Sequence, residues 1–404
     1  MEIFTLLIII LLGIFTGTIT GLIPGLHINF ISTLILINSQ NLKSLIPLEH
    51  LIIFIILMSL THTFIDFIPS IIFGIPNAET ALSILPGQRL LLKGKGYKAI
   101  YLSSLGSLFG VITSLFIGII FYFILENIQN QIRTLIPLIL TIIIIFGIYL
   151  EPTKNQKFWA TILILITGGY GIFILNSTKL TQPLLILFTS IFGTASIIYS
   201  LITKSSKIPK QTFKINHKID KNFLKSLSNG AISSSICSIT PGIGNIQAAT
   251  LSTIISKDKI TSENFIALLS LINTNNFVLS LITFLTIQKA RNGSIFVISQ
   301  ILQTITLHQI IKYYTIILIT SPIIFYLTLK IGKFSIKKLS KLNFKTINIL
   351  LLIGIIIMIL SLEGLFGLLT LTIGTLLGIL TIYLKLKRIH LMAALIIPII
   401  INLI

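Results

Sequence analysis

Charge is what this chain most lacks. Acidic and basic side chains make up 10% of its 404 residues, and only ten residues are Asp or Glu. Soluble domains carry about 25% charged residues, so the deficit excludes a soluble fold. Cysteine is almost missing too, and a lone Cys237 excludes an internal disulfide and a thiolate metal cluster. Period-two alternation is absent, so the many β-branched isoleucines do not signal strands. The six histidines include no His-x-x-x-His spacing, and no serine sits in a nucleophile elbow beside a base. No catalytic set, metal site or cofactor is therefore expected.

What the chain has is apolar length: 54% of its residues are hydrophobic and the mean hydropathy is +1.02. Apolar runs of membrane-spanning length alternate with short basic connectors, which predicts an all-α polytopic protein of the cell membrane. About ten to twelve membrane segments are expected, some of them broken or re-entrant. The net charge of +20 lies in those connectors, as cytoplasmic loops require. That placement makes the lipid bilayer the partner and argues against nucleic acid. The first apolar run, Ile3 to Thr20, has Glu2 where a signal peptide carries bases, so it reads as a retained helix.

Within that pattern the stretch Gly21-Leu-Ile-Pro-Gly-Leu-His-Ile-Asn29 interrupts a membrane helix. Proline removes a backbone donor and the flanking glycines relax the chain, so a break near Pro24-Gly25 is predicted. Ser238-Ile-Thr-Pro-Gly-Ile-Gly-Asn245 repeats the theme with Pro241 and Gly242. Each break precedes a span with a polar middle. His62 and Asp66 supply the first middle, and Asn273-Thr-Asn-Asn276 the second. The chain therefore reads as two related halves, residues 1–203 and 226–404, joined by a basic loop over 204–225.

Paired helix breaks in corresponding halves are the sequence signature of a carrier's binding site. Half-helix N-termini present free N–H groups and partial positive charge to an anion. Gly21, Pro24, Gly25, His27, Asn29, Pro241, Gly242, Asn245, Asn275 and Asn276 are the expected substrate-binding set. For Pro24, Gly25, Pro241 and Gly242 the plainer alternative is a packing kink, and for the asparagines it is interhelical glue. An acid inside hydrocarbon is by default functional, so Asp66 with His62 is the expected ion-coupling pair, taking H⁺ or Na⁺. The alternative is a structural His62–Asp66 hydrogen bond. Between Gly74 and Gly87 a re-entrant turn is expected, with a short helix capped by Asn77 and stopped by Pro86-Gly87. Asn77 is added to the substrate-binding set. Glu363, beside Gly364 between two spans, is expected to face water.

Taken together, Gly17-Thr-Ile-Thr-Gly-Leu-Ile-Pro-Gly-Leu26, Gly74-Ile-Pro-Asn followed by Leu92-Lys-Gly-Lys-Gly96, and Leu384 to Met392 with Pro398 give the chain a family likeness. It resembles the TctA family, the large membrane subunit of tripartite tricarboxylate transporters, and particularly its lone archaeal members. The resemblance implies a permease, partnered in most members by a small membrane subunit and an extracytoplasmic binding protein. His27, Asn29 and Asn77 depart from the residues usual in the family, and they fall in the expected site. The substrate class is thus an anionic organic solute such as a carboxylate. A translocase of polyprenyl phosphate and an intramembrane enzyme stand as the other classes.

Overall fold

The structure is a computed structural model. It describes residues 2–23, 28–37, 46–74, 84–149, 151–202, 209–215, 218–239, 244–256, 260–290, 292–339 and 344–403. Among these residues the chain is helical throughout, with turns and no strand, and seven helices are long and apolar enough to cross a membrane. It is an all-α, multi-pass membrane protein. The four residues Pro24, Gly25, Pro241 and Gly242, together with His27 and Asn77, lie outside the described residues.

Helix α1 (Glu2–Leu22) is followed by short α2 (Ile28–Ile37), then by α3 (Leu48–Ile65), which continues across Asp66 into α4 (Phe67–Phe73). Short α5 (Ile84–Leu92) leads into α6 (Gly96–Tyr149). Helix α7 (Lys154–Leu175) is followed by α8 (Pro183–Phe188), a π-helical segment (Thr189–Thr194) and α9 (Ala195–Ile202). The element order of the opening then returns: α10 (Lys221–Ile239), short α11 (Asn245–Ile255), long α12 (Ser262–Ile287), short α13 (Gly293–Leu302) and α14 (Leu307–Leu339). The chain closes with α15 (Phe344–Tyr383), a 3-10 turn (Arg388–Met392) and α16 (Ala393–Leu403).

Two of these helices form the centre. α3 and α12 are apolar on all sides and buried almost throughout, as a helix enclosed by other helices must be. Neighbours reach them through small residues. Gly13, Gly17 and Gly21 recur every four residues and so share one face of α1. A Cβ on Gly17 would strike the Met58 carbonyl of α3. Gly106 of α6 meets the Ala267 carbonyl of α12 in the same way. Lipid and apolar side chains are equally oily, so close backbone approach and dispersion, not hydrophobic exclusion, hold such helices together. The packing also crosses over: α5 and α6 rest on α12, while α13 and α14 rest on α3. On the outer side of α1, Phe4, Leu7, Leu11 and Phe15 are exposed, which is a face for lipid.

Several sequence expectations meet corrections. Residues Gly96 to Tyr149 form the single helix α6, in which Gly96–Asn127 is long and apolar enough to cross a membrane and Leu140–Tyr149 is a shorter apolar stretch. The polar stretch within it, Glu126 to Thr134, holds neither Gly nor Pro, so nothing in it ends a helix. Pro86-Gly87 does not stop a helix but lies in the first turn of α5, where a missing N–H costs nothing and where Gly87 admits Ile71. Lys221 to Lys225, expected in the basic loop, form the first turn of α10, capped by Asp220 Oδ1 accepting from Phe223 N at 2.7 Å.

Glu363 is buried, not solvated: it accepts from Thr181 N at 2.8 Å, Thr181 Oγ1 at 2.7 Å and Gln182 N at 2.6 Å. The carboxylate caps the start of α8, where helix charge favours an anion. Gly364 next to it has φ 64° and interrupts α15, where two spans are expected. The segment 209–215 is tied to the connector after α5. Thr212 N donates to Gly94 O at 2.8 Å, and Gln211 Oε1 accepts from Gly96 N at 2.9 Å. Both basic connectors therefore meet at one end of the molecule.

The close approach of α6 to α12 generates a paired expectation. Gly106→Val forces the two helices apart and costs about 1–3 kcal/mol. Gly169→Ala, at an exposed helical glycine with nothing within 4 Å of its Cβ direction, gains up to about 1 kcal/mol from helix propensity. Thermal unfolding in detergent separates them; equal midpoints for the two variants would refute the packing argument.

Candidate functional site at the junction of α3 and α4

Asp66 occupies the joint between α3 and α4 because of a proline three residues on. In a continuous helix the amide of residue 69 would bond the Ile65 carbonyl, and Pro69 has no N–H to give. The chain turns at Asp66 (φ −59°, ψ −20°), whose amide still donates to His62 O at 2.9 Å. The carboxylate is 1% exposed. Gly21, the last small residue before the first break, lies against the same joint, since a Cβ there would overlap Ile65 and crowd the Asp66 amide.

From Asp66 a chain of amides runs to the second break. Asn273 Nδ2 of α12 donates to Asp66 Oδ2 at 3.0 Å. Asn245 Nδ2 donates to Asn273 Oδ1 at 2.8 Å, and Asn276 Nδ2 donates to Asn245 Oδ1 at 2.7 Å. Asn245 is the first residue of α11, directly after the break, and its helix start is fixed by Gln247, which reaches back to accept from Gly244 N at 2.9 Å. Asn273 and Asn276 lie three residues apart and so share one face of α12. Gly21 near the end of α1 and Asn245 at the start of α11 are thus both linked to the surroundings of one acid.

The other expected residues divide between this chain and its surroundings. His62 is buried and faces α1: its Nδ1 lies 3.1 Å from Thr20 Oγ1. The Thr20 hydroxyl also lies 3.1 Å from Gly17 O, and the imidazole tautomer sets which group donates between His62 and Thr20. Asn275, fully buried, points away from the amide chain to Thr113 Oγ1 of α6 at 2.7 Å, and its Oδ1 has no hydrogen-bond partner among the described residues. Asn29 lies in α2, which packs against α3 and α13. Thr274 Oγ1 donates to Thr63 Oγ1 at 3.1 Å, a further stitch between α12 and α3.

Asn273 is the central link, and sequence reasoning passed over it in favour of Asn275 and Asn276. Spacing alone could have found it: residues 273 and 276 share a helix face, and 275 does not. Among the described residues no group of three His, Cys, Asp or Glu side chains is placed to hold a metal ion. Chemically the arrangement offers a buried titratable acid, three amides in series and a helix start.

Replacing the central link tests the chain. Asn273→Leu leaves buried partners unsatisfied and costs about 1–3 kcal/mol. Combined with Asp66→Leu, it costs less than the sum of the two single variants, because both remove the same bond. Unfolding midpoints of the four proteins give the coupling, and strict additivity would contradict the geometry.

Comparison with known proteins agrees with this architecture. The chain is 32% identical over 354 residues to an uncharacterized protein of Methanocaldococcus jannaschii, covering 86% of this chain and 85% of the relative. No solved structure matches it. The model of the tripartite tricarboxylate transporter TctA family matches residues 7–393, nearly the whole length. This multi-pass membrane protein therefore belongs to the TctA family, a family of transporter subunits.

Proposed function

We propose that the chain is an ion-coupled permease that carries an anionic organic solute, such as a carboxylate, across the cell membrane. The observation that carries this reading is the amide chain from Asp66 to Asn245, with Gly21 bordering the same joint. The α11 N-terminus, with Asn245 and Asn276 beside it, supplies the anion's donors. Pro24, Gly25, His27 and Asn29 complete the site from the first break, Asn77 from the turn after α4, and Pro241 and Gly242 from the second.

Asp66 is the coupling group. As a carboxylate it can only accept, so Asn273 must present its Nδ2, and Asn245 and Asn276 follow in the same sense. Protonation makes Asp66 a donor and allows the series to reverse, which alters what Asn245 offers at the helix start. Sodium at Asp66 would act on the same oxygen, while His62 sets the α1 side of the joint through Thr20. The repeated element order supports two related halves, and movement of one against the other gives alternating access. The family's name supports assembly with a small membrane subunit and an extracytoplasmic binding protein.

Uptake into proteoliposomes tests the reading. For the native chain, inward proton or sodium gradients accelerate uptake of a carboxylate, and Asp66→Asn removes the dependence on the gradient. Coupling free energies of 1–3 kcal/mol correspond to roughly 5–150-fold in affinity. If Asp66→Asn retained gradient-driven uptake and its pH profile, the acid would be structural. If polyprenyl phosphate moved and no carboxylate did, the solute class would be wrong.

A further inference from the structure

Far from Asp66, the 3-10 turn after α15 holds a charge that the carrier reading does not use. Arg388 is 9% exposed, and its Nη1 donates to Ser196 Oγ at 2.7 Å. Ser196 hands its own proton to the Phe192 carbonyl, which also accepts from Ala195 N at the end of the π-helical segment, so it has no more to give. Arg388 Nε has no hydrogen-bond partner among the described residues. Burial lowers its pKa to about 10, which leaves it charged at neutral pH.

No acid among the described residues forms an ion pair with it. Glu151, at this end of the fold, is occupied: its Oε1 accepts from Lys387 N at 3.2 Å and lies 2.8 Å from His390 Nε2. Glu363 is spent on the start of α8, Glu49 pairs with Lys312, and Glu263 pairs with Lys98. A buried cation without a counter-charge costs several kcal/mol, so an anion from outside the chain is the natural complement.

The surroundings say which anion. Gln156 Nε2 donates to the Lys385 carbonyl at 3.5 Å, so the start of α7, with Lys154 and Lys157, stands beside Lys385 and Lys387. Tyr149, Phe158 and Trp159 are exposed at the same end, as the aromatic belt of a membrane–water interface is. Basic recesses between helices at that depth suit phosphate headgroups. Arginine's planar fork matches two phosphate oxygens at once.

We propose that Arg388 is the centre of a binding site for a phosphate anion, presented at the membrane interface by an anionic phospholipid headgroup. Lys385 and Lys387, close to it in sequence, with Lys154 and Lys157 at the adjoining start of α7, gather the headgroup and Arg388 fixes one phosphate. Binding there ties the 3-10 turn to the π-helical segment through Ser196.

The test uses the full chain in nanodiscs of phosphatidylcholine, with or without phosphatidylglycerol, and separately with inorganic phosphate added to phosphatidylcholine discs. Thermal unfolding is read for the native chain, Arg388→Gln, Arg388→Lys and the distant surface variant Lys333→Gln. Phosphatidylglycerol is expected to raise the native midpoint by several degrees. The rise is lost in Arg388→Gln, partly kept in Arg388→Lys and unchanged in Lys333→Gln. An equal, Arg388-dependent rise with inorganic phosphate would keep the site and make its occupant soluble. If neither source protects the native chain, or if Lys333→Gln loses the rise as fully as Arg388→Gln, the proposal fails. Should Arg388→Gln not fold, native mass spectrometry of the native chain decides: one retained phospholipid is expected, and none, with no protection in either arm, overturns the site.

Discussion

A carboxylate inside a membrane protein has no water to turn to, so whatever holds Asp66 must come from the chain itself. Much of the architecture answers that demand. Pro69 opens the helix at the acid and frees space beside it, and Gly21 lets α1 come close without obstructing the joint. Asn273 then reaches across from α12 to supply the hydrogen bond. Gly106 and Gly110 let α6 pack tightly on α12, and Ser107 between them donates to carbonyls of both α3 and α12. Remove the acid, and neither the proline nor the buried asparagines have an evident purpose in an otherwise apolar centre.

The same economy governs the periphery, where each buried charge has its own solution. Glu363 uses three donors at the start of a helix, and Glu151 uses a histidine and a backbone amide. These acids are satisfied within the fold, so their role is architectural: one joins α15 to α8, the other joins the end of α6 to the 3-10 turn. Arg388 differs because, among the described residues, its donation goes to a hydroxyl that brings no charge. The contrast between satisfied acids and an uncompensated base is what separates scaffold from site here.

Membrane class, helical content and the burial of Asp66 within a span were legible because each depends on composition and hydropathy alone. Hydropathy fixes the spans, and a lone acid within one is conspicuous at any register. What escaped was whatever depends on helical phase or on contacts distant in sequence. Asn275 and Asn276 look equivalent along the chain, yet one turns to Thr113 and the other to Asn245. Glu363 looks like a loop residue until Thr181 and Gln182 are seen beside it. Pro86-Gly87 reads as a terminator because those residues commonly end helices, but the same pair is tolerated in a first turn. Glu126 to Thr134 reads as a loop because it is polar, although polarity does not end a helix; only Gly, Pro or a lost contact does.

The amide chain carries one more constraint, which follows from acceptor chemistry. Each asparagine side chain has a donor end and an acceptor end, and in isolation either orientation would serve. An ionised Asp66 removes that freedom at one end, and each amide in turn passes the restriction to the next. Through this series the protonation state of Asp66, whichever it is, bears on the side-chain orientation of Asn245, in a different helix. Coupling of this kind needs no moving backbone, only an acid whose charge can change and neighbours with no other partner in reach. It also explains why asparagine, not serine or threonine, occupies these positions. A hydroxyl can pivot its proton independently, whereas an amide must turn its donor and acceptor together.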